Sequence, residues 1–194
     1  MKEISQPLFY DITRSPLGLL GRVAHPEGLS YLLRSDTESD LLNEIARRVG
    51  ALPERHPGRF APWRRQIDCY FNGQKPEFDA PIFWLTGTLL QRRVWKALTE
   101  IPYGEVRSYQ WIADRLGLGR GARAVGNACG RNPLPIILPC HRVVHEDGTL
   151  GGYTGGIDIK RRLLAIERVY WTQERQERIE APRSLRRGGF DPRR

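Results

Sequence analysis

The chain has 194 residues, 40% of them hydrophobic, which permits a packed core of one large or two small domains and excludes a wholly disordered chain. Its apolar runs fall short of the ~20 residues that a membrane helix needs, and the N-terminus lacks the apolar core of a secretory signal. The three cysteines are scattered and odd in number. We therefore expect a cytoplasmic protein without a membrane span, a disulfide framework or a bound metal.

The net charge of +9 is concentrated in the C-terminal part of the chain. The first 85 residues are neutral, with 11 basic and 11 acidic side chains. Residues 86–171 carry 13 basic against 7 acidic side chains, and residues 172–194 carry 7 against 4. This asymmetry favours a polyanionic partner such as nucleic acid, although an arginine-rich proteome would give the same balance without one.

The first half of the chain is predicted to be β-rich. Apolar stretches separated by turn signals at residues 15–18 and 25–28 predict three strands, near residues 8–13, 19–24 and 29–33. Apolar spacing then predicts a helix from Ser39 to about Val49 and a short helix over 67–71, with a loop rich in Pro, Gly and Arg between them. This half shows no catalytic constellation, and the isolated His25 and His56 are expected to be solvated.

Three helices are predicted in the second half, over about 86–100, 109–116 and 120–129. Ser108 is a suitable cap for the second of them, and the second and third form a helix-turn-helix pattern. The third carries Arg123 where a DNA-reading helix would place its contacts. It is otherwise built mainly of small residues, namely Ala122, Ala124, Val125, Gly126 and Ala128. A tightly packed core helix with a solvated arginine is the alternative.

Cys140, between Pro139 and His141, is the most informative residue of the sequence. A thiol is reactive as the thiolate, and an adjacent or water-linked imidazole is a common means of forming one. Proline restricts the backbone here, so we expect the cysteine at a turn or strand end. The flanking segments predict two short strands and a hairpin turn, at 136–138, 141–144 and 145–148. A buried structural cysteine beside a surface histidine is the alternative.

The remaining segments complete an α+β prediction. The glycine-rich loop 151–156 lacks the Lys-Ser/Thr ending of a P-loop, so nucleotide binding is not expected. A last helix is predicted over 157–168, and helix-turn-helix followed by hairpin is winged-helix-like. We therefore predict an N-terminal α/β domain over 1–85, a DNA-binding domain over 86–171, and a basic tail over 172–194. The tail is a candidate for a disordered extension.

Several motifs together resemble the O6-alkylguanine-DNA alkyltransferases. In chain order they are Arg123-Ala124-Val125-Gly126, Asn132-Pro133, Pro139-Cys140-His141-Arg142-Val143, Tyr153-Thr154-Gly155-Gly156 and Leu163-Leu164-Ala165-Ile166-Glu167. The match covers about residues 86–170, with Arg168 standing where a glycine is common in the family. The resemblance implies a ribonuclease H-like N-terminal domain and a winged helix-turn-helix C-terminal domain.

The resemblance also implies an activity, that of a methylated-DNA–protein-cysteine S-methyltransferase. Such a protein moves the alkyl group of O6-alkylguanine in DNA irreversibly to its own cysteine, needs no cofactor, and is consumed. By this resemblance Cys140 is the acceptor, His141 its base, and Glu167 the residue that orients the imidazole. Tyr109 donates towards the guanine, and Asn132 holds the turn. The implied substrate pocket consists of Cys140, Val143, Tyr153, Thr154 and Cys129.

The expected partner is double-stranded DNA containing O6-alkylguanine. The resemblance implies that the helix bearing Arg123 enters the minor groove and that the arginine fills the stack left by the flipped base. The implied DNA contacts are Ser108, Tyr109, Ala122, Arg123, Ala124 and Gly126. Binding by a monomer, largely independent of sequence and sensitive to salt, is expected.

Two other classes of protein are open on the sequence alone. An alkyltransferase-like protein binds O6-alkylguanine without transfer, but such proteins lack the acceptor cysteine, so Cys140 argues against this class. A winged-helix regulator with a redox-sensing cysteine would bind a palindromic DNA sequence as a dimer. The sequence does not decide the preference among O6 adducts, activity on O4-alkylthymine, or cooperativity on DNA.

Overall fold

The computed structural model describes residues 7–172 and 178–180. The chain divides into two compact units, the first ending at Thr86 and the second beginning at Gly87. Both units mix helices with small sheets. Among the described residues, no helix is long and apolar enough to cross a membrane.

The first unit is built on a four-stranded sheet. Its strands are β1 (Phe9–Ser15), β2 (Gly18–His25), β3 (Gly28–Ser35) and β4 (Glu54–Arg55). The first three form an antiparallel meander, and the two-residue β4 pairs in parallel with β1, which gives the order β3-β2-β1-β4. The three predicted strands are therefore confirmed. The second and third extend beyond their predicted bounds at both ends, and the first begins one residue later and ends two residues later than predicted.

Helix α1 (Glu38–Val49) packs its apolar stripe against this sheet. Leu41 and Ile45 are buried in a core that includes Tyr10, Ile12 and Val23 of the sheet. Burying side chains of this size contributes about 1.5–3 kcal/mol each. The helix is capped by the residue at position 37, a threonine whose side chain accepts the Asp40 amide, and not by the predicted Ser39.

The predicted loop over residues 50–65 is wrong in its second part. A 3-10 turn over Pro57–Phe60 leads directly into α2 (Ala61–Phe71), which is longer than the short helix predicted. Proline at the first turn of a helix is tolerated because the amide it lacks would have no helical partner. The segment is anchored by Phe60, Ile67 and Tyr70, which are all buried.

The second unit begins with three helices in the predicted order. The elements are α3 (Leu89–Leu98), β5 (Arg107–Ser108), α4 (Tyr109–Arg115), α5 (Ala122–Cys129), β6 (Val143–Val144) and α6 (Ile157–Ile166). Helix α3 starts with a capping box between Thr88 and Gln91, and Ser108 caps α4. The two short strands β5 and β6 pair in parallel.

The strands predicted on either side of the cysteine need correction. Residues 136–138 form turns, and Cys140–Arg142 form a 3-10 turn, leaving only Val143–Val144 as a strand. That strand pairs with β5. The predicted turn at His145–Gly148 is present, since the Gly148 amide donates to the His145 carbonyl over 3.0 Å and the His145 amide donates to the Thr149 carbonyl over 2.9 Å. Among the described residues, Val143–Val144 do not pair with the segment after this turn. The prolines at 133, 135 and 139 lack amide donors, and Ile136 has a φ of 75°, so a regular ladder cannot form.

The end of the second unit differs in part from the prediction. Helix α6 stops at Ile166, and Arg168 adopts a left-handed φ of 61°, which a glycine would adopt with less strain. Strand β7 (Tyr170–Thr172) then pairs antiparallel with β8 (Arg178–Glu180), and β8 lies inside the segment predicted as a tail. The rest of that predicted tail, residues 173–177 and 181–194, lies outside the described residues.

Candidate functional site

The side chain of Asn132 holds the turn that presents Cys140. Cys140 is buried, with 7% of its surface exposed. Nδ2 of Asn132 donates to the Cys140 sulfur over 3.0 Å and to the Leu138 carbonyl over 2.7 Å. Its Oδ1 accepts from the amide of Leu134. One amide side chain therefore fixes the position of the thiol relative to the end of α5.

The acidity of the Cys140 thiol is set by opposing influences. Burial raises its pKa, because a thiolate loses solvation inside the protein. The Asn132 amide, the Lys160 ammonium and the Tyr153 hydroxyl each favour the thiolate, but burial prevails. The thiol is therefore neutral at rest, and a base must take its proton before the sulfur can act as a nucleophile.

His141 and Glu167 form a fully buried pair, with His141 Nε2 and Glu167 Oε1 2.6 Å apart. Burial lowers the pKa of His141 even though Glu167 opposes this effect. Burial acts to raise the pKa of Glu167, but His141 and Arg142 together lower it to about 2. At neutral pH an ionised carboxylate thus accepts a hydrogen bond from a neutral imidazole. Nδ1 of that imidazole is then the nitrogen able to accept a proton.

Cys140 lines a cavity of about 320 Å³. Five other predicted site residues share its wall, namely Tyr109, Gly126, Cys129, Tyr153 and Thr154. The Thr154 hydroxyl donates to a backbone carbonyl at the end of α5 over 3.0 Å, which links the glycine-rich loop to that helix. Burial raises the pKa of both Tyr109 and Tyr153, so each phenol stays protonated and able to donate.

A second cavity, of about 460 Å³, lies between the helix-turn-helix and the turn that begins at His145. Its lining includes Tyr109, Ala122, Arg123 and Gly126, which are four of the predicted DNA contacts. Tyr109 and Gly126 also line the cavity of Cys140. The arginine is exposed. The two cavities are thus adjacent and share a wall.

Three predicted site residues lie elsewhere. Ser108 is fully buried, and its hydroxyl accepts the Trp111 amide at the start of α4, so it is a helix cap and not a surface contact. Val143 is buried in β6, and its carbonyl accepts from Lys160 over 2.7 Å. Ala124 is half-buried and does not line either cavity described above.

Comparisons with known proteins point to one family. Residues 89–169 match the family model of the 6-O-methylguanine DNA methyltransferase DNA-binding domain. A methylated-DNA–protein-cysteine methyltransferase of Mycobacterium bovis is 54% identical over 161 residues, which cover 83% of this chain and 93% of the relative. The Methanosarcina barkeri protein of the same name is 42% identical over 161 residues, which cover 82% of this chain and 97% of that protein.

The chain belongs to the methylated-DNA–protein-cysteine methyltransferase family. Solved structures agree. Mycobacterium tuberculosis O6-methylguanine methyltransferase matches with a TM-score of 0.69 and 42% identity, covering 82% of this chain and 92% of that one. The structure of Mycobacterium tuberculosis OGT in complex with DNA matches with a TM-score of 0.71 and 43% identity, with the same coverage.

Sequence reasoning missed two residues at this methyltransferase site. Lys160 is fully buried, and its ammonium, which donates to the carbonyls of Val143 and Leu150, has its pKa lowered by burial to about 8. Its position three and four residues before the buried Leu163 and Leu164 already places it on the inner face of α6. A lysine in an apolar stripe was the available signal.

Gly151 is the second residue that was missed. It has a φ of 67°, and a Cβ at this position would lie 2.9 Å from the Tyr109 hydroxyl and 3.0 Å from Nε2 of His145. The backbone therefore approaches Tyr109 as closely as a glycine allows. The Gly-Gly sequence indicated a loop at a pocket, but it did not indicate which side chain the loop contacts.

Proposed function

We propose that this protein repairs DNA directly by transferring the alkyl group of O6-alkylguanine to Cys140. The observation that supports this most strongly is the joint arrangement at the cysteine. A buried thiol held by Asn132 lines a cavity and is followed in sequence by the base of the His141–Glu167 pair. Relatives 42–54% identical over most of the chain carry the name of this activity.

The proposed reaction is a displacement at the saturated alkyl carbon. His141 takes the proton of Cys140, and the sulfur then attacks the carbon bonded to O6. The S–C bond forms as the C–O6 bond breaks, and the electron pair of that bond stays on the guanine. Tyr109 donates a proton so that guanine leaves neutral, and the proton held by His141 later restores the phenol. Atoms and charges balance without a cofactor, and the thioether product is stable.

The proposed residue roles follow from this scheme. Glu167 holds the imidazole in the tautomer that accepts at Nδ1 and stabilises its charged form. Tyr153 and Cys129 line the guanine pocket, and the main chain of Thr154 contacts O6. The raised pKa of Tyr109 keeps the phenol protonated until the departing guanine needs a proton.

We also propose that α5 enters the minor groove of the DNA. Residues of modest size on this helix, such as Ala122 and Gly126, let it approach a narrow groove closely, and the exposed Arg123 is placed to fill the stack left by the flipped base. A relative has been crystallised with DNA. Phosphate contacts would make binding by a monomer largely independent of sequence and sensitive to salt.

Fold and location complete the proposal. The meander with a parallel fourth strand supports a ribonuclease H-like N-terminal domain, and α4–α5 support a winged helix-turn-helix domain after about residue 86. The cysteines at 69, 129 and 140 are not in disulfides. This favours a reducing, cytoplasmic location.

The stoichiometry of repair tests the proposal. Limiting protein is incubated with excess duplex that contains O6-methylguanine, and the lesions repaired per protein molecule are counted. We expect the count to stop at one. Binding without any repair would place the protein in the alkyltransferase-like class, and binding that requires a palindromic sequence would place it among regulators; either result overturns the proposal.

A further inference from the structure

Arg142 follows the proposed base directly, and its guanidinium is committed to the carboxylate of Glu167. Nε donates to Oε2 over 2.9 Å and Nη2 donates to Oε1 over 3.1 Å. The residue is buried, with 7% of its surface exposed. This is the two-point geometry by which arginine binds a carboxylate most firmly.

Both members of this ion pair are anchored on the turn that follows α3. The remaining guanidinium nitrogen, Nη1 of Arg142, donates to the Ile101 carbonyl over 2.7 Å, and the Gly104 amide donates to Oε2 of Glu167 over 3.0 Å. The Tyr103 hydroxyl donates to the Ile166 carbonyl, next to Glu167 in sequence. The carboxylate is therefore fixed with Oε1 towards His141.

This arrangement places opposing charges around the His141 imidazole, and the arginine opposes the effect of the Glu167 carboxylate on its protonation. A carboxylate 2.6 Å from an imidazole favours the imidazolium, and a protonated His141 cannot take the proton of a thiol. Burial has the largest effect and lowers the pKa of His141. Among the charged groups, Glu167 raises this pKa, and Arg142 and Lys160 lower it, with the Cys140 thiol adjacent in sequence. Arg142 is the one of these that is bonded to the carboxylate itself.

We propose that Arg142 is a positioning residue that offsets the charge of Glu167 and so acts together with burial to keep His141 neutral and available as a base. The inference rests on the proposed function, since it concerns the base of that reaction. Glu167 thereby orients the imidazole, which stays neutral in the resting state. A purely structural ion pair would hold the fold together but would leave the titration of His141 unchanged.

The test is an NMR titration of the His141 imidazole in full-length protein without DNA. We expect Arg142→Met to raise the pKa of His141 by about one, because the carboxylate loses its counter-charge. Arg142→Lys, which keeps the charge, should change this pKa much less. Arg168→Met removes an exposed arginine beside Glu167 and serves as the control, with no change expected. An unchanged pKa in folded Arg142→Met overturns the proposal.

A second pair of variants covers the case in which Arg142→Met does not fold. Glu167→Gln keeps the size of the side chain and one oxygen that can accept from Arg142, and the double variant removes both members of the buried ion pair, which is often tolerated. The pKa of His141 is therefore compared between Glu167→Gln and the double variant Glu167→Gln/Arg142→Met. We expect the higher pKa in the double variant, and equal values contradict the proposal.

Alkyl transfer is measured separately, from DNA that contains O6-methylguanine. In Arg142→Met we expect the transfer rate to fall about tenfold at pH values below the raised pKa of His141 and to recover at higher pH. If the titration changes as expected but the wild-type protein transfers no alkyl group, the proposed function is refuted and the charge balance stands. Normal transfer by the wild type with an unchanged titration in Arg142→Met would refute the inference alone.

Discussion

At the scale of single residues, Cys140 combines a raised resting pKa with groups placed to support its thiolate. Burial keeps the thiol neutral, and a neutral thiol is a poor target for oxidants and stray electrophiles. Asn132, Tyr153 and Lys160 lower the cost of the thiolate once His141 has taken the proton. The site thus keeps Cys140 as a neutral thiol at rest and supports the thiolate after the proton has been taken.

Lys160 should contribute to this support through its charge. We predict that Lys160→Met raises the pKa of Cys140 by about one, which would slow alkylation by a small haloacetamide about tenfold near neutral pH. The measurement is the pH dependence of that alkylation. Arg162→Met, an exposed position on the same helix, is the control. Indistinguishable profiles for Lys160→Met and wild type would contradict the prediction.

Glu167 should contribute to stability as well as to orientation. Its pKa is about 2 in the folded protein against an ordinary value of 4.5, so its contribution is present above pH 4.5 and is lost as the pH falls through 2. This difference corresponds to about 3 kcal/mol. We predict that Glu167→Gln lowers the free energy of unfolding by about that much at pH 7. The free energy of unfolding should also fall less steeply at acid pH than in the wild type, as measured by urea unfolding.

Glu44 provides the matched control for that experiment. Its pKa is also about 2, with hydrogen bonds to Arg47 and Arg48, but its side chain is 32% exposed. Solvent screens such pairs, so Glu44→Gln should cost less than about 1 kcal/mol. Equal losses in the two variants would show that the burial of Glu167 has no special effect.

At the scale of elements, the glycine-rich loop sets the position of Tyr109. We predict that Gly151→Ala slows alkyl transfer, because its Cβ would displace the Tyr109 hydroxyl and a left-handed φ costs about 1–2 kcal/mol for alanine. Gly152→Ala is the control, since its Cβ has open space. The measurement is single-turnover transfer together with thermal unfolding. Equal transfer rates in both variants would refute the close approach of the Gly151 backbone to the Tyr109 hydroxyl.

Helix α5 should act on duplex DNA and not on the chemical step. We predict that Arg123→Ala slows transfer from duplex about tenfold or more, because the vacated stack is left unfilled, at a cost of a few kcal/mol. Transfer from free O6-benzylguanine should stay near the wild-type rate. Arg131→Ala, an exposed position just beyond α5, is the control. A similar loss on the free base would indicate damage to the pocket instead.

Elements with strong periodicity or clear caps were predictable from the sequence, and segments determined by tertiary contacts were not. The meander follows from apolar stretches between turn signals, and α1, α3 and α6 follow from apolar spacing. Helix α4 follows from its cap, Ser108, and α5 from a run of small residues. The segment at 136–144 is apolar enough for strands, but its prolines and the Asn132 side chain impose turns. Likewise α2 depends on burial of Phe60 and Tyr70, which a Pro-rich sequence conceals.

The candidate site was predictable in its chemistry and less so in its supports. The motif residues, including Cys140 and His141, were named from the sequence, and the structure brings several of them, Cys140 among them, together around one cavity. The supporting contacts of Arg142 and Lys160 come from distant segments. No local pattern encodes which carbonyl or carboxylate a buried cation meets.

At the scale of the whole molecule, charge and chemistry coincide in the second half of the chain. Residues 86–171 carry a net charge of +6 and contain the cysteine, its base and the helix-turn-helix, whereas residues 1–85 are neutral. Counterion release on binding to DNA would favour the basic half. We therefore assign both contact with DNA and alkyl transfer to the second unit.

The most direct test of this assignment is the mass of the protein after incubation with duplex DNA that contains O6-methylguanine. We predict that every active molecule gains one methyl group, that peptide mapping places it on Cys140, and that Cys140→Ala gains none. Cys129→Ala, which removes the other thiol of the cavity, should still be methylated. An unmodified intact, reduced protein, or a methyl group on another residue, would contradict the proposed transfer to Cys140.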